Sequence, residues 1–125
     1  MPATRIDLGK FFGISSRSGW FLWSSGAAVL AANWLGIVIF LVSRSVNSGF
    51  LRLHYTAALG VDWVDVWWKI FIFPGFGLAV FFINGFFSGI LTKKHRMLGL
   101  LMLGATDAVE IMLAIGAGLA IMLNI

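Results

Sequence analysis

Three long apolar runs divide this chain and leave it few ways to fold. The first extends from Trp20 to Val42 and the second from Ile70 to Leu91, both without a charge; the third, Met97 to Leu123, carries Asp107 and Glu110. Each exceeds the roughly 20 residues an α-helix needs to cross about 30 Å of hydrocarbon. Helices buried in soluble proteins are rarely so long and so apolar on every face. Hydrophobic residues make up 60% of the chain and charged residues 11%, against roughly 45–50% and 25% in soluble domains. At 125 residues there is too little interior to hide that much apolar surface from water. The bilayer is part of the solvent, and the expected fold is all-α, an integral-membrane three-helix bundle.

The divisions follow from the breaks between runs: a leader at 1–19, spans at 20–43, 70–91 and 97–125, a long amphipathic loop at 44–69 and a basic loop at 92–96. The first run does not suit a cleaved signal peptide, whose apolar core is about 7–15 residues and follows closely on a basic start. Here it begins after 19 residues and continues for more than twenty. It reads as a retained anchor. Within the leader, Lys10–Ile14 is expected to lie in the interface as a brief amphipathic turn.

Orientation follows the distribution of Lys and Arg. Arg5, Lys10, Arg17, Lys93, Lys94 and Arg96 fall on one side; Arg44, Arg52 and Lys69 fall on the other, offset by Asp62 and Asp65. The N-terminus and the basic loop are therefore expected in the cytoplasm of a bacterial cell, with the long loop and C-terminus outside the inner membrane. Trp20 and Trp23, and Trp63, Trp67 and Trp68, suit aromatic belts at the two interfaces. This placement also argues against nucleic acid as a partner despite the net charge of +4, because the basic residues mark topology rather than a phosphate-binding face.

The most expensive feature is the pair Asp107 and Glu110. Three residues apart, they share a helix face. At 1.5 Å per residue from Met97 they lie about 15 and 20 Å into the membrane. A carboxylate at that depth costs about 2.5–3.5 kcal/mol on insertion scales, so it is normally turned toward a partner or water. Depth counting brings Asn33, Asn84 and Thr106 toward the same layer. The group reads equally as a proton or cation site completed by oligomerisation, or as hydrogen-bonded packing within a bundle.

The long loop offers His54, Asp62 and Asp65. Their spacing matches no metal motif, and the two aspartates are expected to cap a helix leading into the second span, since Asp is a favoured N-cap. Gly85 and Gly89, four apart in the second span, suit close helix packing, as do Ala32 and Gly36 in the first and Gly116 and Ala120 in the third. Pro74-Gly75 is expected to bend the second span near its outer end. The chain has no cysteine, which excludes disulfides and thiolate chemistry. It also lacks a phosphate-binding glycine loop, a nucleophile elbow, an HExxH motif and any cofactor signature. No cofactor or metal is expected.

From His54 onward, the sequence Leu53-His54-Tyr55, then Gly60-Val61-Asp62-Trp63, then 67–84 and a basic turn resembles a family of uncharacterised small three-span bacterial membrane proteins. More distantly, the Leu-His-aromatic step after the first span and the Trp68-Lys69 start of the second resemble the domain of unknown function in SdpI-like immunity proteins. These resemblances imply a three-span fold and supply no biochemical activity; Asp107 and Glu110 lie outside the shared pattern. The leading expectation is a non-enzymatic membrane protein acting through helix–helix contacts, as an accessory subunit of a larger complex or as a homo-oligomer. The alternative is proton or cation transport, or an immunity-type role, using the buried carboxylates.

Overall fold

The structure, a computed structural model, describes residues 16–44 and 49–125. The leader before Ser16, with Lys10–Ile14, and part of the long loop lie outside the described residues. Three helices among them are long and apolar enough to cross a membrane: α1 (Arg17–Arg44), α2 (Ile72–Lys94, preceded by a 3-10 turn over Trp67–Phe71) and α3 (Arg96–Met122). At 1.5 Å per residue each is roughly 35–40 Å long, enough to span the hydrocarbon.

Helix α1 begins at Arg17, three residues before the apolar run, because Ser16 caps it. The Ser16 Oγ accepts the Gly19 backbone N–H at 3.0 Å, and its carbonyl accepts that of Trp20 at 2.9 Å. The first contact satisfies one of the N–H groups that a helix start leaves unpaired, and the second is the first bond of the helix itself. Helices α2 and α3 are joined through His95 alone, held extended at φ −147° and ψ 109°. The turn is clamped from inside, where the Ser88 hydroxyl donates to the Gly99 carbonyl at 2.9 Å. Both residues are buried, and a Cβ on Gly99 would run into the Thr92 hydroxyl.

Each helix buries one narrow stripe, with steps of three, four or seven residues apart from the adjacent Ser88 and Gly89. On α1 it is Gly19, Gly26, Leu30, Asn33, Ile37 and Phe40. Pro74, Gly77, Phe81, Gly85, Ser88 and Gly89 form that of α2; α3 contributes Gly99, Leu103, Thr106, Glu110, Ala117 and Ala120. Gly85 and Gly89 therefore lie on a packed face, and the Ser88–Gly99 bond shows that it meets α3. In α1, by contrast, Ala32 and Gly36 are exposed, and the space beside Gly36 is empty to 4 Å. Their spacing is not used for packing among the described residues.

Pro74 occupies the third position of α2. The first four N–H groups of a helix have no intrahelical acceptor, so the proline removes no bond there and does not break the span. The change of geometry comes earlier, where the 3-10 turn gives way to α-helix at Phe71–Ile72.

The long loop departs from the all-α expectation. Instead of an amphipathic loop it contains a β-hairpin: β1 (Phe50–Thr56) pairs antiparallel with β2 (Gly60–Val66), from Phe50 opposite Val66 to Thr56 opposite Gly60. The register slips at Leu53 and again at Asp62. Gly60 closes the turn at φ +73°, a backbone region that side chains disfavour, and the Thr56 hydroxyl accepts the Leu59 N–H at 3.3 Å. Asp62 and Asp65 stand on β2, so neither caps a helix; the 3-10 turn that follows has no side-chain cap.

An isolated two-stranded hairpin is marginally stable, and this one is held down at two places. Leu51 and Leu53, alternate residues on β1, are buried among Ile37, Phe40, Ile70, Ala117 and Ala120 over the end of the bundle. Asn124, just past α3, accepts the Arg52 N–H through Oδ1 at 2.9 Å and donates Nδ2 to the Arg52 and Ala120 carbonyls, both at 2.7 Å. The amide thus fills the open edge of β1 as a neighbouring strand would. Two buried leucines at about 1.5–3 kcal/mol each supply more than the clamp, whose three bonds contribute about 0.5–1.5 kcal/mol apiece. The leucines hold the hairpin down; the asparagine fixes where it sits. Replacing Asn124 with Leu is expected to destabilise the hairpin end by about 1–3 kcal/mol. Amide hydrogen exchange should show Arg52 losing protection first, with the Ser88–Gly99 turn unchanged.

Candidate functional site

The two acids of α3 face different neighbours. Asp107 is half-buried and accepts a hydrogen bond from the Ser25 hydroxyl of α1 at 2.6 Å. Ser25 also donates to the Leu22 carbonyl at 2.9 Å, so its single proton is shared between two acceptors. Beside it, Gly26 leaves room for the carboxyl: a Cβ there would stand 2.6 Å from Asp107 Oδ1. The Phe81 ring, which meets Trp23 edge-on with centroids 4.3 Å apart, borders the same notch.

Glu110 is fully enclosed, at 0% exposure, and among the described residues neither carboxyl oxygen has a hydrogen-bond partner. It fills a second notch, formed by Gly77 of α2, where a Cβ would lie 2.6 Å from Oε2 and 3.1 Å from Oε1. Two glycines on two helices therefore accommodate two carboxyls from the third. Both acids point into this chain, rather than outward toward whatever surrounds it.

The amides do not join them. Asn33 is buried and its Nδ2 lacks a hydrogen-bond partner among the described residues, but it is seven residues beyond Gly26, about 10 Å along α1. Asn84 is half-buried and seven residues from Gly77, about 10 Å toward the basic turn. Thr106 is buried beside Asp107 and returns its hydroxyl to the Met102 carbonyl at 3.0 Å. Ser25, Gly26 and Gly77 were missed by depth counting, since a serine and two glycines in apolar runs carry no signal of their own. The capped start of α1 also displaces the count by three residues, about 4.5 Å.

At the hairpin, His54 Nδ1 lies 2.7 Å from Asp62 Oδ1, with both side chains partly exposed. Asp65 is engaged separately by Lys69 Nζ, by the Val66 N–H at 2.8 Å and by the Trp63 indole N–H at 3.3 Å. Among the described residues no three His, Cys, Asp or Glu side chains gather as a metal-binding group. A groove of about 490 Å³ opens nearby, between β1, Phe73 of α2 and the last turns of α3 from Gly116 to Leu123.

This chain matches no protein-family model, no curated protein and no solved structure. The site must be read from its own geometry.

Two expectations follow. Gly77→Ala forces a Cβ into the Glu110 carboxyl and should destabilise the bundle by about 1–3 kcal/mol, while Gly104→Ala, with open space beside it, should not. Adding Glu110→Ala to Gly77→Ala should recover much of the loss, a coupling readable in a double-mutant unfolding cycle. At the hairpin, the hydrogen bond from Lys69, aided by the Val66 N–H, holds the Asp65 carboxyl below its ordinary value of 3.8 against a smaller opposing effect of burial. A folded-state pKa depressed in this way stabilises above the unfolded value, and its contribution disappears as pH falls through the folded one. An NMR titration should place the Asp65 midpoint below the ordinary value and move it upward in Lys69→Met.

Proposed function

We propose that this is a non-enzymatic, multi-pass protein of a bacterial inner membrane whose working centre is the Asp107–Glu110 pair, taking up and passing on protons within the bilayer. The reading rests on Glu110, a fully buried carboxyl in a membrane-spanning helix with no hydrogen-bond partner on either oxygen among the described residues. Ionisable groups inside spans are costly and characteristically mark proton or ion pathways. A bundle needing only adhesion would be served as well by leucine. Asp107, half-buried and shared with Ser25, is the outer member of the pair; Glu110, one turn farther along, is the enclosed one. A proton reaching Asp107 has about 4.5 Å of helix rise to cover to Glu110. No lysine or arginine stands inside the spans beside them, so the charge balance at the pair is set by protons or by a small cation. The insertion that suits the basic residues puts Arg17 and the Lys93–Arg96 turn in the cytoplasm and the hairpin outside.

A second reading, assembly through helix contacts as an accessory subunit or homo-oligomer, is favoured by the outward face of α1. Leu35 and Ile39 are more than 60% exposed, and they flank the unused Ala32 and Gly36. The resemblance to small three-span bacterial membrane proteins suits either role.

The two separate in reconstituted vesicles. With a pH-sensitive dye inside and an imposed gradient, the native chain should carry proton flux that Glu110→Gln abolishes and Asp107→Asn lowers by tenfold or more. Equal flux from Glu110→Gln would sink the proton reading. Loss of a larger species in mild detergent on Gly36→Leu, with flux unaffected, would carry the assembly reading.

A further inference from the structure

The bundle interior is polar on one side of the carboxyl pair and dry on the other. Among the described residues the buried polar side chains are Asn33, Ser88, Thr106 and Glu110. Ser88 and Thr106 lie on the basic-turn side of Glu110; Asn33 alone lies toward the hairpin. Gly26 is level with Asp107, and α1 and α3 both run from the basic end toward the hairpin. Helix rise therefore places Asn33 about 6 Å beyond Glu110. It is 6% exposed and its Nδ2 has no hydrogen-bond partner among the described residues. A buried donor thus stands unused on the far side of the enclosed acid.

Beyond Asn33 the interior turns apolar. Ile37, one turn farther along α1, packs there with Phe40, Ile70 and Ala117, and Leu51 and Leu53 of the hairpin complete the cluster. Apolar constrictions of this kind close a path by excluding water, and a charge entering one unaccompanied is costly. The cover is separable from the spans beneath it. A two-stranded hairpin is marginal alone, and its bonds to Asn124 are exposed. Elements held so lightly open locally without unfolding the rest.

We propose that the hairpin gates the proton path: Leu51 and Leu53 seal the cluster beyond Glu110, and their lifting lets water reach Asn33. The amide holds that water, and the proton leaves the Glu110 carboxyl to it. This rests on the proton reading of Asp107 and Glu110 and adds the step that releases the proton on the hairpin side. In the vesicle assay, Asn124→Leu loosens the hairpin without touching the cluster and should raise flux about tenfold, the equivalent of one or two lost hydrogen bonds. Leu51→Ser with Leu53→Ser, which wets the cluster itself, should do the same; should it fail to fold, Asn124→Leu decides alone. Glu110→Gln in either background should return flux to that of protein-free vesicles. Asn33→Leu should reverse the rise, whereas Asn33→Ser, which keeps a donor, should preserve it. Native-like flux in Asn124→Leu, still abolished by Glu110→Gln, would overturn the gate and leave the carboxyl reading standing. A rise that survives Glu110→Gln would mark leakage through a loosened bundle and overturn it too. Absence of Glu110-dependent flux in native and hairpin variants alike would remove the gate together with the reading beneath it.

Discussion

Close approach of helix backbones is the condition on which this structure depends. Between spans in a bilayer, burying apolar side chains gains little, because lipid tails are as apolar as leucine. Association must come from dense packing and from polar bonds, and both need backbones near each other. The buried stripes supply this with small residues: Gly19 and Gly26 on α1, Gly77, Gly85 and Gly89 on α2, Gly99, Ala117 and Ala120 on α3. Where α2 meets α3 at their turn, the glycine at position 99 lets the Ser88 hydroxyl reach a backbone carbonyl. Where α3 meets the middle of the other two helices, Gly26 and Gly77 leave spaces that Asp107 and Glu110 fill. The costliest side chains in the protein are thus seated in its narrowest contacts.

Outside the hydrocarbon the balance reverses. The hairpin stands where water is present, so apolar burial again stabilises, and Leu51 and Leu53 hold it on the bundle end. Gly60 and the Thr56 hydroxyl make the turn, but they do not position it. Position comes from Asn124, which occupies the open edge of β1 with one amide and ties it to α3. An unpaired strand edge would otherwise invite another chain. The clamp blunts that edge at Arg52.

The spans were legible because length and lack of charge are strong, local signals that a bilayer enforces. Their limits were less so: α1 starts at Arg17 rather than Trp20 because a single serine caps it. The hairpin was hidden for a different reason. Residues 50–54 alternate outward and inward, yet in so apolar a chain the period-two signal of Leu51 and Leu53 is drowned by Phe50, Tyr55 and the tryptophans. Asp62 and Asp65 suggested a helix cap by residue type, whereas Asp62 meets His54 across the strands and Asp65 meets Lys69 four residues along the chain. At the carboxyl pair the costly residues were evident from sequence. Their surroundings were not, because Gly26 and Gly77 contribute by lacking a side chain, and which glycine faces which acid depends on helix rotation.

One helix connects everything of chemical interest. Going along α3 from its basic start, Gly99 takes the Ser88 bond, Asp107 and Glu110 fill the two notches, and Gly116 floors the groove. Asn124, just past its end, clamps the hairpin. A helix is stiff along its axis, so these contacts cannot adjust one at a time. A rotation of α3 that moved Glu110 away from Gly77 would also turn Gly116 under Phe73 and pull on the Arg52 clamp about 20 Å farther along. The carboxyl pair and the hairpin clamp are thus both carried by α3 and the turn that ends it.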